Sequence, residues 1–258
     1  MKLNYKKFGE SGKNIVILHG LFGMLDNWQI IGKQLAKKYQ VYLIDQRNHG
    51  KSEHSLEFDY FAMADDLLAF LDEKQLDNIY LIGHSMGGKA AMQFACEHND
   101  KVEKLVVVDI APKNYPPKHQ TIFDAFFAVD IEHISSRKEA ENILSKYLTD
   151  KSVIQFLLKN LSRQKDKTYR WKCNLETIYH NYHNIIGNSL SQFDSFDGST
   201  LFVKGGKSLR YIVLDDDISL IKHHFPKAKI ETIANTGHWV HAEQPKAFLE
   251  MTVDFLAL

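Results

Sequence analysis

Short apolar runs alternate with amphipathic stretches through residues 1–111. The runs are residues 14–18 (NIVIL), 40–45 (QVYLID), 78–83 (NIYLIG) and 102–109 (VEKLVVVD). Each is apolar at consecutive rather than alternate positions, the pattern of a strand buried on both faces. Between them, residues 34–39 and 87–97 have helical character. Residues 60–74 place Phe61, Ala64, Leu67, Leu68 and Leu71 along one side of a helix. Strand, helix, strand, helix predicts an α/β architecture, a mostly parallel sheet with helices on both faces.

The alternation stops near Pro112. From there to residue 196 no clear strand is legible, while residues 118–128, 137–146, 152–161 and 175–182 read as helices. Pro112, Pro116 and Pro117 punctuate the entry to this stretch. The alternation then resumes with residues 200–204 (TLFVK), a helix near 214–224, a strand at 229–233 and a closing helix at 245–256. We therefore expect residues 1–111 and 197–258 to form one core and residues 112–196 to form a helical cap inserted into it.

The strongest chemical signal is Gly83-His84-Ser85-Met86-Gly87-Gly88, of the form G-x-S-x-G, between an expected strand and an expected helix. A Ser on such a turn is held strained with its hydroxyl exposed, which makes Ser85 the candidate nucleophile. A serine hydroxyl is weak at neutral pH and needs a base. His238, in the loop Asn235-Thr236-Gly237-His238-Trp239 after the last strand, is the candidate, with His241 as its competitor. The base needs a carboxylate to hold its tautomer. Related sequences often carry it in a G-x-x-D segment, but here that segment reads Gly205-Gly206-Lys207-Ser208. Asp109, ending the strand after the nucleophile, reaches the same sheet edge and is the preferred acid. The alternatives are a turn-capping role for Asp109 and an acid drawn from Asp215, Asp216 or Asp217. Those three read better as a helix start. Backbone N–H groups of Met86 and Leu21 are the expected oxyanion donors, the latter from the loop His19-Gly20-Leu21-Phe22-Gly23. Asp45 and Arg47 read as braces beneath the site, with a substrate role for Arg47 as the alternative.

Composition narrows the picture further. Lys+Arg and Asp+Glu both number 32, so the net charge is zero and nothing draws the chain to nucleic acid or an anionic membrane. No run of about 18 apolar residues marks a membrane span, and the first residues, MKLNYKKFG, are too polar for a signal peptide. The two cysteines, Cys96 and Cys173, form no C-x-x-C and suit free thiols in a reducing cytoplasm. His180 and His183 are i, i+3 neighbours that read as a solvated helix face rather than a metal site. No metal or organic cofactor is expected.

HGLFG, DQRNHGKS, GHSMGGKAAM, VVVDIAP and GHWVHAE together, with QFLLKNL and YRWKCNL inside the insertion, resemble the YbfF-type bacterial esterases. These are similar to the mammalian abhydrolase-domain proteins of the same branch. The resemblance runs nearly the whole chain. It implies an α/β-hydrolase fold with a helical cap, the triad Ser85, Asp109 and His238, and hydrolysis of short-to-medium acyl esters or thioesters such as acyl-CoA. It allows a homodimer. Phe22 and Trp239 are candidate pocket residues, with loop packing as the alternative for each. Lys113 and Lys118 could meet a CoA phosphate, though a solvated surface is the better reading. A carbon–carbon hydrolase or cofactor-free lyase using the same Ser–His pair is the alternative chemistry, and a non-catalytic binding module is a third reading. A haloalkane dehalogenase is disfavoured, because it needs a carboxylate where Ser85 stands.

Overall fold

Consecutive apolar residues in a strand send alternate side chains to opposite faces, so such a strand must be covered on both. The computed structural model describes residues 1–212 and 214–258, with every side chain among them except those of residues 214 and 215. Its strands, in chain order, are β1 (Tyr5–Phe8), β2 (Asn14–Leu18), β3 (Gln40–Ile44), β4 (Ile79–His84), β5 (Val102–Val108), β6 (Leu161–Arg163), β7 (Tyr169–Trp171), β8 (Ser199–Gly205) and β9 (Ala228–Ile233). The helices are α1 (Gln29–Leu35), α2 (Tyr60–Lys74), α3 (Met86–Glu97), α4 (Gln120–Phe127), α5 (Arg137–Leu144), α6 (Lys151–Leu157), α7 (Leu175–His180), α8 (Tyr182–Ile186), α9 (Leu214–His224), α10 (Val240–Glu243) and α11 (Pro245–Ala257).

The main sheet has the order β1-β3-β2-β4-β5-β8-β9. All its neighbours pair in parallel except β1, which runs antiparallel to β3. Val16, Leu18, Leu81, Leu105 and Val107 face one hydrophobic cluster, which α2, α3 and α9 complete with Leu67, Phe94 and Ile221. Ile15, Ile17, Ile82, Val106 and Val108 face the other, completed by Ile31 and Leu35 of α1 and Phe248 and Phe255 of α11. The expected α/β-hydrolase architecture is thus present. No helix among the described residues is long and apolar enough to cross a membrane.

Three local expectations are corrected. The helix expected at residues 34–39 runs earlier, as α1, because Ile31 and Leu35 supply its buried side. β1 was not anticipated: its YKKF carries exposed lysines and pairs on one side only, as an edge strand does. The interval 112–196 contains a small hairpin, β6 with β7, whose three-residue strands are too short to show a period.

The helices α4–α8 of that interval meet the core above the carboxyl ends of the strands. The Phe22 ring packs edge-on against Phe123 of α4, 5.5 Å between centroids. Tyr60 Oη donates to the Ile185 carbonyl at 2.6 Å. Asn160 Nδ2 donates to the Phe22 carbonyl at 2.8 Å.

The two-faced core carries a direct test. Leu81, in β4, is fully buried, whereas Ile30 in α1 is 70% exposed. Leu81→Ala should lower the free energy of unfolding in urea by about 2–5 kcal/mol. Ile30→Ala should change it by no more than about 0.5 kcal/mol. Equal losses would contradict this assignment of core and surface.

Candidate active site

Ser85 leaves β4 at φ 52° and ψ −118°, a left-handed conformation that only a tightly packed turn sustains in a non-glycine residue. The flanking glycines are there for closeness. A Cβ on Gly83 would lie 2.2 Å from the Gly87 carbonyl oxygen, and one on Gly87 would lie 2.5 Å from the Leu18 and His19 oxygens. The turn is pinned to the sheet by Ser85 N–H donating to the Val108 carbonyl at 3.0 Å. α3 begins at the next residue, so its positive end opens beside Ser85.

Asp109 follows β5 and is fully buried. Its Oδ1 accepts from Gly205 N–H at 2.9 Å. Its Oδ2 accepts from His238 Nδ1 at 2.8 Å and from the Ser208 hydroxyl. Burial raises its carboxyl to about 6, the donors only partly offsetting the loss of water. Burial likewise holds the His238 imidazole down, to about 3. At neutral pH the pair is therefore a carboxylate accepting from a neutral ring, which puts the ring proton on Nδ1 and leaves Nε2 as a lone-pair acceptor. The Tyr211 ring stacks on His238 at 3.7 Å and 15°. His84 Nε2 donates to the His238 carbonyl at 2.8 Å, tying the residue before Ser85 to the His238 loop.

The loop after β2 is braced from below by a second set of buried imidazoles. His49 Nε2 accepts from Phe22 N–H at 3.1 Å, and its Nδ1 donates to the Arg47 carbonyl at 2.9 Å. His19 Nδ1 donates to the Gly20 carbonyl at 2.9 Å, and its Nε2 accepts from Gln46 N–H at 3.0 Å. Gly23 N–H donates to the Gly20 carbonyl at 2.9 Å. The N–H of Leu21 has no such partner among the described residues, and that of Met86 opens a helix and so has none within it. Asp45 Oδ1 accepts from Leu25 N–H at 2.7 Å. Arg47 is buried, with Nε on Asp66 Oδ2 at 2.6 Å and Nη2 on Asp66 Oδ1 at 3.0 Å. Both behave as braces, and Arg47 is not open to a substrate.

Ser85, His238, Leu21, Phe22 and Trp239 line one cavity of about 720 Å³. Trp239 is half-buried and its ring lies 5.4 Å from that of Phe156 in α6. His241 also lines this cavity, but it stacks on Trp28 at 3.9 Å and 8°, and no hydrogen bond links it to Asp109. Of the alternative acids, Asp216 is exposed and Asp217 is paired with Lys113 Nζ at 2.6 Å, while the side chain of Asp215 lies outside the described residues. Lys113 is thereby turned from solvent-facing reader of phosphate to ion-pair partner. Lys118 is exposed. Cys96 and Cys173 are free thiols, each pushed up to about 12 by burial.

Three residues at the centre escaped the sequence reading. Ser208, which ends the segment where an acid was looked for and not found, donates its hydroxyl to Asp109 after β5. Only that coincidence of position could have pointed to it. Tyr211 and His84 act through stacking and a backbone carbonyl, which leave no periodic or motif signal.

A family model described as the alpha/beta hydrolase fold matches residues 13–245. Esterase YbfF of Escherichia coli (strain K12) is 37% identical over 254 residues, covering 96% of this chain and 96% of that protein. The sn-1-specific diacylglycerol lipase ABHD11 of Danio rerio is 39% identical over 267 residues, covering 99% of this chain and 83% of that protein. A solved structure, a marine microorganism esterase, superposes with a TM-score of 0.96 at 45% identity and covers 98% of this chain and 99% of its own. With the family model matching residues 13–245 and Esterase YbfF matching nearly its full length, the chain belongs to the α/β-hydrolase family, in its YbfF-type esterase branch.

Proposed function

We propose that this chain is a serine hydrolase that cleaves short-to-medium acyl esters, and thioesters of the acyl-CoA kind, through an acyl-Ser85 intermediate. The observation that carries this is the 2.8 Å hydrogen bond from His238 Nδ1 to the sealed carboxylate of Asp109, at the sheet edge where Ser85 turns. His238 Nε2 takes the Ser85 proton as Oγ attacks the acyl carbon. The N–H groups of Leu21 and Met86 receive the negative charge that develops on the carbonyl oxygen. His238 then gives its proton to the departing alcohol or thiol. Water repeats the sequence, releasing the acid and restoring Ser85. Asp109 stays ionised and stabilises the imidazolium. Residues 112–196 act as the cap, whose α4 and α6 bring Phe123 and Phe156 against Phe22 and Trp239.

Thioester cleavage needs no change in this chemistry. Recognition of a CoA phosphate would fall to Lys118 rather than to Lys113, which is occupied by Asp217.

Hydrolysis of p-nitrophenyl esters tests the assignment. Ser85→Ala should be inactive and should lose covalent labelling by a fluorophosphonate. Asp109→Asn should fold, label slowly, and lose about a thousand- to ten-thousand-fold in kcat. Near-wild-type activity in Asp109→Asn would move the acid to residues 215–217.

The pair also sets a pH profile. Asp109 is raised to about 6 and His238 is lowered, so acidification adds the first proton to the pair near pH 6. Above that pH the competent carboxylate and neutral ring are present; below it the charge that stabilises the imidazolium is lost. A plot of log kcat/KM should fall with unit slope as pH drops through about 6 and level off above about 7. A profile unchanged down to pH 4 would exclude this pair as the titrating unit.

A further inference from the structure

A second, smaller cavity of about 40 Å³ also opens at Ser85. The two cavities share Leu21, Ser85, His119 and Tyr211, but they differ in a way the chemistry can read. His238 and Trp239 line only the larger one. Met86 and Ile110 line only the smaller one.

The argument rests on the acyl-Ser85 reading above. When Oγ has added to the carbonyl carbon, that carbon bears the oxyanion, the leaving oxygen or sulfur, and the acyl tail. The leaving atom receives its proton from His238, so it must lie within hydrogen-bond reach of that ring. It therefore departs into the larger cavity, where His238 is exposed to it. The acyl tail points away from the leaving atom, past Met86, into the smaller cavity. We infer that this smaller cavity is the acyl pocket, that it admits the short end of the acyl range, and that the bulk of the substrate lies on its alcohol or thiol side.

The size follows from the volume. At about 40 Å³ against about 720 Å³, the smaller cavity is the restrictive one and disfavours a long chain. The lining is largely apolar. Tyr60 Oη donates to the Ile185 carbonyl, Tyr115 Oη to the Tyr211 carbonyl, and Tyr182 Oη is hydrogen-bonded to His119 Nδ1. Lys89 Nζ, also at this wall, donates to the carbonyls of Lys113, Ile186 and Gly187. Its protons are committed, and Leu21, Met86, Ile110, Ile185 and Ile186 make much of the remaining wall aliphatic.

The test is a kinetic series with two variants. With p-nitrophenyl acetate, propionate, butyrate, hexanoate and octanoate, kcat/KM of the wild type should peak at acetate or propionate and fall at least a hundredfold by hexanoate. Ile186 is half-buried and lines only the smaller cavity. Ile186→Ala should raise the hexanoate-to-acetate ratio at least tenfold, and Ile186→Phe should lower the propionate-to-acetate ratio. Trp239→Ala should leave the hexanoate-to-acetate ratio within about twofold and instead alter preference between ethyl and naphthyl acetate. Melting curves of each variant exclude a folding artefact. Octanoate cleaved as well as acetate, or an acyl-length profile that responds to Trp239→Ala and not to Ile186→Ala, would overturn the assignment. If no ester of any length is cleaved and fluorophosphonate leaves Ser85 unlabelled, the acyl-serine reading itself has failed.

Discussion

A carboxylate sealed from water survives in a folded protein only where donors replace the water. Asp109 meets that demand with Gly205 N–H at the end of β8, the Ser208 hydroxyl three residues later, and His238 from the loop after β9. One side chain thereby fixes the relative positions of three loops that are distant in sequence. Its own placement is set by the sheet, through Asp109 N–H donating to the Val203 carbonyl at 2.8 Å. Removing any one donor would leave a buried anion short of a partner, so Asp109, His238 and the segment carrying Ser208 hold or loosen together.

The same logic of burial organises the histidines. His19, His49 and His84 are fully or almost fully buried and held well below their ordinary value, so each is a neutral ring with one donor and one acceptor. A neutral imidazole can bridge a backbone N–H to a backbone carbonyl without placing charge in the core. His49 does so between Phe22 and Arg47, and His19 between Gln46 and Gly20. The loop that offers Leu21 N–H is thus held at several points while that one donor stays free. Protonating these rings would destroy an acceptor in each case, which ties the geometry of the loop after β2 to their neutrality.

How much of this the sequence discloses depends on the length scale of the cause. Strands β2, β3, β4, β5 and β8 are legible because burial on both faces makes whole runs apolar, and Ser85 is legible because close packing dictates Gly83 and Gly87. Asp109 could be placed because a strand end in a parallel sheet has a known edge. His238 could be placed because it follows the last strand. The hairpin of β6 and β7 and the edge strand β1 left no comparable trace, since neither buries enough side chain to constrain composition. Ser208 was visible only as a missing aspartate. Its hydroxyl works through Asp109, a partner 99 residues away, and no local pattern encodes such a pairing. Cavity shape is still less legible, being a sum over α4, α6 and α8 of positions that read simply as helix.

Backbone conformation shows what the sheet edge exacts from the chain. The connections leaving β2, β3, β4, β5 and β9 each contain a non-glycine residue in the left-handed region: Phe22 at φ 59°, Asn48 at 63°, Ser85 at 52°, Asp109 at 50° and Asn235 at 61°. Asn and Asp tolerate that region, but Phe and Ser do so at a cost of order 1–3 kcal/mol each. Five such residues at one edge do not arise from loose loops, which would relax. They persist because each is fastened on both sides: Ser85 by Val108 and by the start of α3, Phe22 by His49 and Asn160, Asp109 by Val203 and Gly205. The strain turns side chains and N–H groups out of the sheet plane and toward a common point, where an extended backbone would have directed them to the two faces. The rigid two-faced core is what makes this sustainable, and a fold without it could carry the same residues in sequence without bringing them to one sheet edge.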